Sequence, residues 1–188
     1  MQKWSMILIP TLLLVMLLQA TQALTQSKPG LSLRTSAFED GGTIPDKYTA
    51  AATMPVSPEL NWANAPDRTV SFALLVHDPD TSVNKTTTVI LHWMIFNIPA
   101  DVHGLPEGIP AQAKLSDGAV QGRNYTRKVG YAGPGAPARG PSHHYTFELF
   151  ALDTKLSLGP EAIQAQLLKA MDDHILDKGI LVGRFHLP

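Results

Sequence analysis

Cysteine is absent from the 188-residue sequence. Its absence excludes a disulfide scaffold, thiolate zinc sites, iron–sulfur clusters and a cysteine nucleophile, whatever the redox compartment. Any chemistry must use oxygen and imidazole. An excess of charge of one sign is lacking as well, since 15 Lys and Arg face 16 Asp and Glu, a formal charge of −1. Nucleic-acid affinity comes mainly from Lys and Arg neutralising phosphates, so no nucleic-acid partner is expected. With 44% hydrophobic residues the composition is that of an ordinary folded domain.

An apolar run of bilayer length is also missing. Residues 1–23 read MQKWSMILIPTLLLVMLLQATQA, with Lys3 near the start, an apolar stretch from Met6 to Leu18 and small residues Thr21 and Ala23 spaced like a cleavage site. That stretch covers only roughly 20 Å as a helix, against a hydrocarbon core of about 30 Å, and Pro10 interrupts it. We read residues 1–23 as a secretory signal peptide cut after Ala23, in preference to a membrane anchor. Residues 24–188 are then a single domain, periplasmic or secreted. Cleavage removes Lys3 and no acid, so the mature chain is formally −2, and no general attraction to anionic lipid surfaces is expected. Without cysteine there is no lipid attachment point, and the product should not be membrane-anchored.

Short apolar or alternating runs at Leu31–Thr35, Glu59–Trp62, Thr69–Val76, Val89–Ile98, Tyr145–Leu152 and Ile180–Leu187, bounded by Gly, Pro, Asn and Asp, predict strands. The 14 Gly and 15 Pro gather partly in Pro106–Pro110 and Gly130–Pro141, where long shaped loops are expected. After Gly159-Pro160, the residues Ile163, Leu167, Ala170 and Met171 recur at helical spacing, with Gly179 suited to the stop. This pattern favours a mainly β domain with an antiparallel core and one helix near the C-terminus over a doubly wound sheet.

Polar residues inside apolar runs mark the candidate site. His92 interrupts a strand that is apolar at both parities, and a buried imidazole needs a partner. The strand Ser71–Val76 runs into His77-Asp78-Pro79-Asp80, where Pro79 ends the pairing and leaves two carboxylates at a strand mouth. Those carboxylates could partner His92. At His143-His144-Tyr145, the period of two places His143 and Tyr145 on one face and His144 on the other. Taken singly, each has a bland reading as a core histidine or a turn. His103, His174 and His186 are assigned no chemistry, His174 falling on the helical stripe.

The runs Ser57-Pro58-Glu59-Leu60-Asn61-Trp62, Ser71 to Asp80, His92-Trp93 with Asn97-Ile98-Pro99-Ala100, Gly118 to Asn124, Gly130-Tyr131-Ala132-Gly133-Pro134 and His143-His144-Tyr145 together resemble the phosphatidylethanolamine-binding protein family, in its bacterial Raf kinase inhibitor-like branch. The resemblance extends from about Phe38 to Phe185. It implies a large antiparallel sheet, a smaller sheet, peripheral helix and a small anion-binding cavity. Matched motif by motif, it implies ligand-binding roles for Asp78, His92, Gly133, Pro134, His143 and Tyr145, with Asp80 bracing a loop. Two imidazoles, a phenol and backbone N–H groups can hold a phosphate without Lys or Arg, and Asp78 would sit against an imidazole rather than the anion.

The sequence departs from the family in three places. His144 replaces the usual Arg of His-Arg-Tyr; Gly135-Ala136-Pro137 and Tyr48-Thr49-Ala50-Ala51 stand where cysteines are usual; and Thr81-Ser82-Val83-Asn84-Lys85 lacks the customary Ala-Pro after Asp-Pro-Asp. Ligand selectivity therefore does not transfer. The first functional reading is an exported, non-enzymatic binding protein for a small phosphate-containing or other anionic ligand, such as a phospholipid head group, with no cofactor or metal. The alternatives are an inhibitor of an extracytoplasmic protease or kinase, and a weak hydrolase using His92, His143 and Asp78. The hydrolase lacks a Gly-x-Ser-x-Gly elbow, and Ser142 and His143 point to opposite strand faces. A metal site with His77 is disfavoured because His77 has the opposite parity to Asp78. The triplets Asn84-Lys85-Thr86 and Asn124-Tyr125-Thr126 match the acceptors of a eukaryotic secretory pathway, but the bacterial resemblance makes them incidental.

Overall fold

The computed structural model describes residues 28–84 and 89–188; the signal-peptide reading concerns residues outside these. In chain order the strands are β1 (Ser32–Arg34), β2 (Gly42–Thr43), β3 (Leu60–Ala63), β4 (Ser71–Asp78), β5 (Ile90–Pro99), β6 (Gly104–Leu105), β7 (Val120–Gln121), β8 (His143–Leu152) and β9 (Ile175–Phe185), with helix α1 (Gln164–Met171) before the last. Six strands form the large sheet in the order β2-β9-β8-β4-β5-β7, and β1-β3-β6 form the small one. All pairings are antiparallel except β2 with β9. Among the described residues the expected mainly β architecture is the one observed, with two sheets and one α-helix.

Central strands covered on both faces need apolar residues at both parities, and β4 and β5 supply them. Phe72, Leu74 and Val76 of β4 face a core shared with Trp62, Leu33 and Leu60 of the small sheet. Ala73 and Leu75 face the opposite core, closed by Leu167 and Met171 of α1. The one polar atom of Trp93 in the first core is satisfied: its Nε1–H donates to Gln121 at 2.7 Å, and the Gln121 amide donates to Pro110 and Gln112. This ties the proline-rich loop to the edge of the sheet.

Two features differ from the sequence expectation. The helix ends at Met171 rather than near Gly179, because the chain turns through Asp173 at φ 66° and His174 N–H donates back to Met171. His174 therefore leaves the helix and its Nδ1 meets Asp153 at 2.8 Å. Gly179 lies inside β9, where a Cβ would stand 2.9 Å from the Leu31 carbonyl; its role is to let another backbone approach.

Candidate functional site

The register of β4 against β5 explains how His92 reaches the site. Val76 stands opposite Trp93 and His77 opposite Leu91, so β5 carries one residue more than β4 at this point, and that residue is His92. Such a bulge re-aims a side chain and ends regular pairing locally. The freed backbone is used: the His92 carbonyl accepts from Ala132 N–H at 2.9 Å, and His92 Nδ1 donates to the Ala132 carbonyl at 2.8 Å. The partner of this buried imidazole is thus a backbone carbonyl rather than Asp78 or Asp80. With Nδ1 so engaged, Nε2 is the ring atom left for a ligand.

The end of β4 and the start of β8 meet at Asp78. Its Oδ2 lies 2.8 Å from His143 Nδ1, and its Oδ1 accepts from Asp80 N–H at 2.9 Å. At 2% exposure the carboxylate is shielded from solvent, and it holds the imidazole by the nitrogen that faces away from the ligand space. Tyr145, two residues along the same face of β8, is fully buried, and its phenol oxygen accepts from Gly135 N–H at 3.1 Å and Ala136 N–H at 2.9 Å. The phenol hydrogen has the Asp78 carboxylate as its side-chain partner in the ligand-free site, and a bound anion would have to take that place. Asp80 lies outside this group. Its Oδ2 accepts from the His144 backbone N–H and meets His144 Nδ1, both at 2.7 Å, so it ties the Pro79–Asn84 turn to the entry of β8.

Asp78, His92, His143 and Tyr145 converge on one cavity of about 320 Å³, completed by Thr81, Ile90, Tyr125, Gly135, Ala136 and Pro137. This is the low end of the range for small-ligand sites. Gly133 and Pro134 are not among the residues lining it, although the Gly133 backbone hydrogen-bonds the His92 imidazole; the wall falls two to three residues further on. Gly133 is turned instead to the Thr49–Ala50 turn, where a Cβ would lie 2.8 Å from the Thr49 carbonyl carbon and 2.9 Å from Pro55 Cβ. The Pro134 carbonyl accepts from Ala50 N–H at 2.7 Å. These two residues anchor the loop whose next three residues face the ligand space. Gly133→Ala is accordingly expected to cost about 1–3 kcal/mol in denaturant unfolding and to weaken anion binding by displacing Gly135–Pro137.

Burial sets the protonation of the site. It pushes the His92 imidazole below its ordinary value, against the opposing pull of the Ala132 carbonyl and the Asp78 charge. The Tyr145 phenol is raised to about 12, first by burial and then by Asp78, and is a hydrogen-bond donor at any physiological pH. His77 lies across the sheet beside Glu148, at 3.7 Å, away from the cavity. Thr81, the hydroxyl nearest in sequence to Asp78, donates to the Asp78 carbonyl at 3.0 Å and is not paired with His143. Asn124 is buried, donates to the Gly130 carbonyl and accepts from Thr126, so the Asn124 triplet is a folded turn rather than an accessible acceptor.

Sequence reasoning did not find Thr81, Ile90, Tyr125, Gly135, Ala136 or Pro137. For Ile90 the signal was the Asp78–Ile90 pairing, which depends on the bulge. For Tyr125 no periodic signal exists, because it sits on the tip of a tight turn.

A two-sheet β protein with a small polar-floored cavity at the strand ends is a ligand-binding fold. The sequence model for phosphatidylethanolamine-binding protein matches residues 34–186, and the chain belongs to that family. A UPF0098 protein of Methanothermobacter thermautotrophicus is 42% identical over 155 residues, covering 82% of this chain and 98% of its own. Among solved structures, a putative phosphatidylethanolamine-binding protein homologue from Chlamydia trachomatis is 34% identical with a TM-score of 0.73, covering 83% of this chain and 97% of its own. YbcL of E. coli, described as a member of the mammalian family, is 27% identical with a TM-score of 0.76, covering 85% and 100%.

Proposed function

We propose that this chain is a binding protein whose cavity holds a small phosphoryl-type anion between His92, His143 and Tyr145, and that it works outside the cytoplasm after export. The observation that carries the reading is the convergence of these three side chains, from two strands of the large sheet, on one opening with Asp78 behind His143. A protonated imidazole donates through Nε2 and a phenol through its hydroxyl, which suits an oxyanion. The apolar stretch from Met6 to Leu18 supports export.

Calorimetric titration with phosphate, sulfate and phosphoethanolamine tests the cavity. Saturable heat at millimolar ligand or below is expected, with at least a tenfold loss in His143→Ala. No heat at millimolar ligand, together with turnover of a phosphoester, would replace the binding reading by the enzymatic one. N-terminal sequencing of the mature product is expected to begin at Leu24.

A further inference from the structure

The stretch from Gly118 to Phe147, which carries most of the cavity mouth, contains four basic residues and no acidic one, in a chain whose formal charge is −1. Three of the four stand on one tight turn: Arg123, Arg127 and Lys128 flank Tyr125. Arg123 bridges to Val129, Asn124 N–H donates to the Lys128 carbonyl, and Arg127 takes φ 64° at the turn. The buried Asn124 amide locks the turn from inside. Tyr125 N–H donates to the Leu91 carbonyl, which fixes the tip beside β5 and His92. The Tyr125 ring is 52% exposed and lies 5.0 Å from the His92 ring, so it belongs at once to the cavity wall and to the outer surface. Arg139 lies two residues beyond Pro137 of the cavity wall. All four cations are exposed, and none joins an ion pair among the described residues. The nearest acids in the site, Asp78 and Asp80, are already engaged by His143 and His144.

We propose that the Arg123–Val129 turn is a docking surface for an anionic phospholipid membrane. An amphipathic ring such as Tyr125 favours the head-group level of a bilayer. Unpaired cations around it gain from the negative surface potential, and the net charge of the whole chain does not oppose them because the acids lie elsewhere. Of residues 123–128 only Asn124 is buried; the exposed ones are cationic, the hydroxyl-bearing Thr126 and the amphipathic Tyr125, a set that suits a charged head-group layer. The docking stands on the turn alone and is separable from the anion reading of the cavity beside it.

Vesicle co-sedimentation separates the two. The protein is expected to sediment with phosphatidylcholine vesicles containing a minority of phosphatidylglycerol, and to fall off them as salt is raised. It should sediment weakly with pure phosphatidylcholine or with a phosphatidylcholine and phosphatidylethanolamine mixture. Each cation at the surface is worth about fivefold in partitioning, so the triple variant Arg123→Ala, Arg127→Ala, Lys128→Ala should lose about a hundredfold. Its calorimetric affinity for soluble sulfate should stay within about twofold at physiological salt, where exposed charges are screened. His143→Ala should lose sulfate but still sediment. Equal sedimentation of the wild type and the triple variant, or binding of the wild type to a phosphorylated acidic peptide and not to phosphatidylglycerol vesicles, would overturn the docking proposal. Loss of sulfate binding alone bears on the cavity.

Discussion

Sulfate is expected to bind about tenfold or more tightly at about pH 5 than at about pH 7.5, with the rise set largely by His92. Sulfate is the better probe than phosphate because it keeps both charges across this range, so the profile reports the protein. Burial holds His92 below its ordinary value near 6.5 in the ligand-free protein, and the ring is therefore neutral at neutral pH. Its Nδ1–H is committed to Ala132, which leaves a lone pair on Nε2, the wrong partner for an anion. Binding must add a proton there, and proton uptake makes affinity climb as pH falls. The same shift acts on stability. Because His92 is harder to protonate folded than unfolded, its contribution is fully present above about pH 6.5 and is lost as pH falls below it. Sulfate should restore part of that loss. Paired titrations of sulfate affinity and thermal unfolding check both signs, and His92→Gln should flatten both profiles. An unchanged sulfate profile in that variant would assign the titrating proton to another group.

What was legible in the sequence is what depends on local chemistry. The strand-rich pattern, the small-residue loops and the pairing of His143 with Tyr145 on one strand face follow from period-two alternation and from Gly and Pro punctuation, and β4, β5, β8 and α1 lie close to where the pattern puts them. The two-residue strands β2, β6 and β7 have no periodicity to read, since their pairing is imposed by neighbours. His92 shows the limit best. Alternation along β5 says nothing of the extra residue that turns its ring into the cavity, and the bulge arises from the meeting of β4, β5 and the Gly130–Ala132 segment. The displacement of the cavity wall from Gly133-Pro134 to Gly135–Pro137 has the same origin. Gly133 is small because the Thr49–Ala50 backbone comes within contact distance, a fact of tertiary packing that a motif match reads as ligand contact. The early end of α1 depends on Asp173 adopting a left-handed conformation, which side-chain spacing does not reveal.

Asp78→Ala is expected to destabilise the protein by about 3 kcal/mol and to abolish anion binding, whereas Asp80→Ala should cost less than about 1 kcal/mol. The two acids sit two residues apart and each meets a histidine at 2.7–2.8 Å, so distance does not separate them. Solvent does. Removing the buried Asp78 carboxylate leaves the Asp80 N–H and the His143 Nδ1–H without their acceptor, between side chains only 3% and 15% exposed. The His143 ring then loses both its tautomer and its orientation. The Asp80 and His144 side chains are 39% and 53% exposed, and water can satisfy the His144 N–H and ring once Asp80 is gone. For a domain of this size the Asp78 loss corresponds to a fall in Tm of about 6–12 °C, against about 4 °C or less for Asp80. Differential scanning calorimetry on the two variants, with sulfate titration alongside, checks the contrast. Equal losses in stability would mean that the exposed pair, and not the buried one, secures the turn after β4, and the role of Asp78 would then be confined to holding His143.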